Sequence, residues 1–244
     1  AREDPKMTEI DDVAPERVAE LRAALARVKA RIFDAERAAG REPGSVRLLP
    51  VSKFHPAGDI AALAAAGVEA FGENREQEAR EKAAALPGVK FHMIGQIQTK
   101  KANSVARWAA VVESVDSVRL AEKLDRGVAL AVERGERAEG ELPCLVQWSA
   151  DGDPERGGVA DADLDAVCAA VVDAAHLRLA GLMCVPPLGA DAEGTFMRAR
   201  AIVDNLGDGM ILSAGMSADL EAAVAAGSDL VRVGTGIFGP RPLA

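Results

Sequence analysis

The chain contains no tyrosine, and phenylalanine and tryptophan together make up only 3% of its 244 residues. No stretch approaches the roughly 20 consecutive apolar residues that a membrane-spanning helix needs, which excludes a helical membrane protein. Residues 1–6 are charged rather than apolar, so no secretory signal is expected and a reducing cytoplasm is the default compartment. Cys144, Cys168 and Cys184 are odd in number, show no paired metal-ligand spacing and lie in apolar segments, so they are expected to be inert packing. His55, His92 and His176 show no ligand spacing either; His92 reads as a hydrogen-bonded core residue and the other two as loop residues. No GxSxG elbow points to a serine hydrolase. Positive charge is also short: 29 Lys and Arg against 38 Asp and Glu leave a net −9, with no global field to attract nucleic acid or an anionic membrane. Any anion must be held locally.

What is present is enough for a full core, since 49% of residues are apolar and 27% charged. Val18, Leu21, Leu25, Val28 and Ile32 recur at steps of three and four, which predicts an amphipathic helix over about 15–39, stopped by Gly40 and Pro43. From there short apolar runs near 47–52, 68–72, 90–94, 109–115, 142–148, 177–184, 209–213 and 229–234 read as strands. Helical stretches at about 57–66, 74–85, 99–107, 117–134, 161–175, 191–206 and 217–226 fill the gaps. Eight such units predict an α/β fold, a single (β/α)₈ TIM-type barrel in one domain over 1–244, with the barrel at about 46–241 and an extra N-terminal helix. That leading helix can cover the barrel where a helix after strand eight is missing. The competing architecture is a doubly wound open sheet, because alternation alone does not say whether a sheet closes. Pro50 and Pro143 sit awkwardly inside two strands, since proline removes a ladder donor.

In a β/α barrel the active face is the C-terminal end of the strands, and phosphate commonly binds the loops after strands seven and eight. Both loops are small-residue turns here: Ser213-Ala214-Gly215-Met216-Ser217 and Gly234-Thr235-Gly236. Small residues let backbone amides close on a phosphate, and Ser217 is a plausible N-cap whose helix start points amides at an anion. Gly234-Thr235-Gly236-Ile237-Phe238-Gly239 spells a dinucleotide fingerprint, but a ribose-binding acid about 20 residues on is lacking. Lys53 ends strand one on the same face, where its amine could hold an aldehyde once neutral. Arg232, inside an apolar strand, demands a partner, either an internal ion pair or a cofactor ring nitrogen. Asn74, at the exit of strand two, can cap a helix or touch a ligand. Lysine and loops together suggest a pyridoxal phosphate (PLP) site.

Taken in order, Val51-Ser52-Lys53, Phe71-Gly72-Glu73-Asn74, Phe91-His92-Met93-Ile94-Gly95 with Gln98, Ser114-Val115-Asp116-Ser117, Gly181-Leu182-Met183, Leu212-Ser213 with Gly215-Met216-Ser217-Ala218-Asp219-Leu220-Glu221, and Val231-Arg232-Val233-Gly234-Thr235 with Ile237-Phe238-Gly239 resemble the pyridoxal phosphate homeostasis protein family, single-domain relatives of the alanine racemase N-terminal barrel. The resemblance implies that Lys53 carries PLP as an internal aldimine, that Ser213, Ser217, Gly234 and Thr235 surround its phosphate, that Arg232 faces the pyridine nitrogen and that Asn74 lies near the ring. Thr99 and Gly236 depart from the family's usual asparagine and alanine.

The function so implied is PLP binding in intracellular PLP homeostasis, with no efficient catalysis. An arginine at the ring nitrogen only donates, which weakens the cofactor as an electron sink. The alternative is a PLP-dependent amino-acid racemase-type enzyme. Racemisation needs two bases, and the racemase relatives draw the second, a tyrosine, from an additional β domain that is not expected here. A third reading is a class I aldolase-like barrel in which Lys53 meets substrate without a cofactor. The expected partners are PLP and, as candidate recipients, PLP-dependent apoenzymes. The chain is expected to be a cytoplasmic monomer that binds neither nucleic acid nor membrane.

Overall fold

Eight parallel strands form one sheet: β1 Arg47–Pro50, β2 Ala70–Glu73, β3 Lys90–Met93, β4 Ala109–Val115, β5 Leu142–Trp148, β6 Leu177–Cys184, β7 Ile211–Ser213 and β8 Leu230–Val233. The structure is a computed structural model that describes residues 13–242, so residues 1–6, read as free of a secretory signal, lie outside the described residues. Neighbours run β1-β8-β7-β6-β5-β4-β3-β2. The remaining seam, between β1 and β2, is joined by a parallel bridge from Val51 to Gly72, with Ser52 N–H donating to the Gly72 carbonyl at 3.0 Å. The sheet is therefore a barrel, and the open doubly wound sheet is set aside.

The helices are α1 Pro15–Ala38, α2 Ala57–Ala65, α3 Glu76–Ala85, α4 Ala102–Trp108, α5 Val118–Glu133, α6 Asp161–Asp173, α7 Ala192–Leu206, α8 Leu220–Ala226 and α9 Thr235–Phe238. Leu21, Leu25, Val28 and Ile32 of α1 are buried, as their spacing predicts, and α1 packs against α2, α8 and α9. It thus fills the eighth position of the helical ring. Most element ends fall within three residues of expectation, and two departures bear on the site. A four-residue helix, α9, follows β8 after all, and α8 begins at Leu220 with Asp219 as its N-cap. Ser217 is therefore not the cap; the Asp219 carboxylate accepts from Met216 N–H at 2.8 Å and tightens the turn ahead of the helix.

Both prolines keep their strand positions because the ladders do not need their missing donors. Arg47 and Val51 donate toward β8 while Ser52 donates toward β2, so alternation aims Pro50 at the sparsely bonded β1–β2 seam. On the β4 side of β5 the register begins at Cys144, one residue past Pro143. Where β6 meets β7, Gly181 has a φ of +151°, and a Cβ there would lie 1.9 Å from the Ile211 carbonyl oxygen, so only glycine permits this approach. The three thiols are buried, and burial pushes Cys144 up to about 12 and Cys184 to about 11, which makes them poor nucleophiles.

Candidate functional site

The strand pairing that closes the barrel also sets the chemistry side by side. Lys53 and Asn74 each stand two residues past the bridged pair Val51 and Gly72, at adjacent strand ends. On the other side of β1, Val51 N–H donates to the Val233 carbonyl at 2.9 Å, which places the Gly234-Thr235-Gly236 turn next to the Lys53 turn. The two small-residue loops meet as well: a Cβ on Gly236 would lie 3.5 Å from Ser217 Oγ, and Arg232 N–H donates to the Gly215 carbonyl at 2.9 Å. A methyl at Gly236 would also press within 3.0 Å of Val233, which is the local consequence of an alanine there.

The Lys53 turn is held from below. Phe54 has a φ of +68°, the left-handed region that costs a non-glycine residue about 1–2 kcal/mol. Its N–H donates to Glu78 Oε1 at 2.5 Å. Buried Lys82 ties that carboxylate at 2.8 Å to Glu73 at 2.7 Å and to the Ser52 carbonyl at 2.8 Å. Ser52 Oγ donates to Glu73 in turn. Burial raises the Glu73 carboxyl above the ordinary range, opposed by the charge and hydrogen bond of Lys82. None of this network reaches Lys53, which has no carboxylate within 4.0 Å among the described residues. Arg75 and Arg241 flank the Phe54 ring, 4.9 and 4.1 Å from its centre.

Arg232 is 3% exposed and spends two of its five N–H donors inside the protein, on Ser213 Oγ at 2.7 Å and the Cys184 carbonyl at 3.1 Å. Ser213 Oγ donates onward to Glu113, whose other oxygen lies 2.7 Å from His92 Nδ1. Burial works against the Glu113 charge, but the hydrogen bond and electrostatic influence of His92, with the Arg232 charge and the Ser213 hydroxyl, outweigh it and hold the carboxyl below its usual range. The partner that Arg232 requires is thus largely internal, and the Ser213 hydroxyl is already committed to Glu113 and Arg232. His92 is hydrogen-bonded inside the barrel, as read from the sequence. Glu113 escaped that reading although it carries the signal that exposed Arg232, a lone charge in the apolar run Val111-Val112-Glu113-Ser114-Val115.

Three features fit a phosphorylated aldehyde at this end. The backbone N–H groups of Ser217, Ala218, Thr235 and Gly236 donate no hydrogen bond among the described residues, and they sit on two loops that converge. Asn74 Oδ1 is buried without a partner, an orphaned acceptor beside Lys53. Lys53 is half-buried, and its amine has no hydrogen-bond or ion-pair partner among the described residues. Gly95 seals the Asn74 side, since a Cβ there would lie 2.0 Å from the Asn74 carbonyl oxygen.

Comparison with known proteins bears on the family and the fold. The family model described as alanine racemase, N-terminal domain, matches residues 24–242. A pyridoxal phosphate homeostasis protein of Corynebacterium glutamicum is 58% identical over 208 residues, covering 84% of this chain and 94% of that protein. The structure of PipY from Synechococcus elongatus, solved with PLP bound, superposes with a TM-score of 0.71 at 37% identity over 84% of this chain and 99% of that one. Alanine racemase from Corynebacterium glutamicum shares the fold, with a TM-score of 0.64 at 17% identity, and the match takes in 62% of that longer chain.

Proposed function

Because the chain belongs to the alanine racemase N-terminal domain family, and within it to the pyridoxal phosphate homeostasis proteins, we propose that it binds PLP covalently through Lys53 and serves to hold the cofactor in the cytoplasm. The observation that carries this reading is the pairing of an unpaired lysine amine with two converging loops of unbonded backbone amides at one end of the barrel. Ser217, Gly234 and Thr235 form the phosphate cradle with their backbone N–H groups; Ser213 contributes by holding Arg232 rather than by a free hydroxyl. Asn74 lies beside Lys53 and offers the ring an acceptor and a donor. When bound, PLP supplies an aldehyde that a lysine amine captures reversibly.

The residues around that amine bind and orient; they do not equip the site to move protons. Arg232 offers donors only, so it can hold a ring nitrogen without protonating it. The chain has no tyrosine to act as a second base. We therefore read the protein as a carrier without efficient catalysis, a monomer whose recipients are PLP-dependent apoenzymes. Purified protein supplemented with PLP should absorb in the visible, and borohydride reduction followed by peptide mass spectrometry should place the adduct on Lys53. Lys53→Ala should stay colourless. An adduct on another lysine, or alanine racemisation at about 1 per second or faster, would overturn the reading.

A further inference from the structure

At the opposite, N-terminal end of the strands a cavity of about 670 Å³ opens among the strand starts. That volume falls within the range of small-molecule sites, roughly 300–1,000 Å³. Its lining mixes branched side chains such as Leu145, Ile211 and Leu230 with the small residues Ala70, Ala110, Ala180 and Gly209, which take up less of the space. Its rim carries Lys29 from α1, Arg47 at the start of β1, Lys90 at the start of β3 and Arg178 at the start of β6. None of the four has a carboxylate within 4.0 Å among the described residues. Glu69 is the one acid on the rim, and the Glu113 carboxylate below is already bonded to His92 and Ser213.

Four cations converging on a concave wall from four separate elements repel one another, in a chain whose acids outnumber its bases and could have paired them. All four are exposed and hydrated, so their shared potential is modest at any one of them, but together they present unpaired donors that an anion in the cavity can take up. His92 lines the same wall, half-buried, with Nδ1 fixed on Glu113 and Nε2 left to meet a ligand. We infer that the N-terminal mouth of the barrel is a second ligand site, specific for a small multivalent oxyanion, a pyrophosphate-like or polycarboxylate species gripped by Lys29, Arg47, Lys90 and Arg178. The guanidinium pair supplies bidentate donors suited to phosphate or carboxylate, and the lysines supply point charges. Its floor belongs to the hydrogen-bonded chain from His92 through Glu113 and Ser213 to Arg232, so both ends of the barrel share one polar network.

The test is calorimetric titration of borohydride-reduced, dialysed holoprotein with pyrophosphate in one arm and citrate in the other. One-to-one binding with a Kd below about 1 mM is expected in at least one arm. Arg47→Gln and Arg178→Gln should each weaken it by about tenfold or more. Arg178→Lys should retain part of the affinity. Arg119→Gln, at the start of α5 and so at the other end of the barrel, should leave it unchanged. Both rim arginines are exposed, so the variants should keep the parent fold, checked by circular dichroism. The inference fails if neither anion saturates, if the rim variants bind as the parent does, or if Arg119→Gln weakens binding as much as they do.

Discussion

A single carboxylate, Glu113, governs how charge is tolerated inside this barrel. It is fully buried, yet it is hydrogen-bonded to His92 and Ser213 and linked through Ser213 to Arg232, so its carboxyl is held below the ordinary range. A depressed folded value means that the unfolded chain takes up a proton first as pH falls. The stabilisation is complete above the ordinary carboxylate pKa of about 4.3 and is lost as pH drops through the lower folded value. Glu113→Gln should therefore lower stability near neutrality by about 3 kcal/mol, because His92 loses its buried carboxylate partner and Arg232 loses the one it reaches through Ser213. It should also flatten the acid limb of the curve of urea midpoint against pH. A variant curve running parallel to the parent's would show that Glu113 does not titrate as described. At this scale the sequence was only partly readable. Lys53 stands out as a charge ending one apolar run and Arg232 as a charge inside another, whereas the commitment of Ser213 Oγ to Glu113 joins residues 100 positions apart and leaves no local trace.

Among the elements, α3 does the most to shape the Lys53 turn. Lys82 reaches from its last turn to Glu73 on β2 and to the Ser52 carbonyl after β1, and Glu78 on the same face holds Phe54 in its left-handed conformation. Lys82→Met should leave Glu73 buried without a countercharge, at a cost of about 3–5 kcal/mol. The raised Glu73 carboxyl sets the sign of the pH dependence: its contribution is present in acid and lost as pH rises through the folded value. The deficit of Lys82→Met should accordingly be larger at about pH 8 than at about pH 5 in urea titrations. An equal deficit at both would place the lost energy in packing rather than in charge. Element types and order were legible because the 3.6-residue and two-residue periods are local. The late start of α8 and the extra turn of α9 were not, because Asp219 and Gly234 act through turn geometry that composition does not encode.

For the molecule as a whole, strand pairing closes the barrel and α1 completes the outer helical layer. Leu21 is fully buried in the cluster that joins α1 to Val231 and Val233 of β8 and to Ile60 and Leu63 of α2. Leu21→Ala should cost about 2–5 kcal/mol. If α1 belongs to the barrel's cooperative unit, tryptophan fluorescence, which reports Trp108 and Trp148, and circular dichroism should still lose signal in one coincident transition. Separate transitions would make α1 an independently unfolding cover. The sequence by itself determined the alternation of strands and helices, the amphipathic face of α1, the small-residue loops and the lysine that ends the first strand, since each depends on residues within a few positions of one another. Only the tertiary structure decided that the sheet closes at Val51 and Gly72, that Arg232 is satisfied through Ser213 and Glu113, and that four cations gather around a cavity at the far mouth. Those arrangements arise when strands distant in sequence are brought into register, and spacing along the chain does not carry that information.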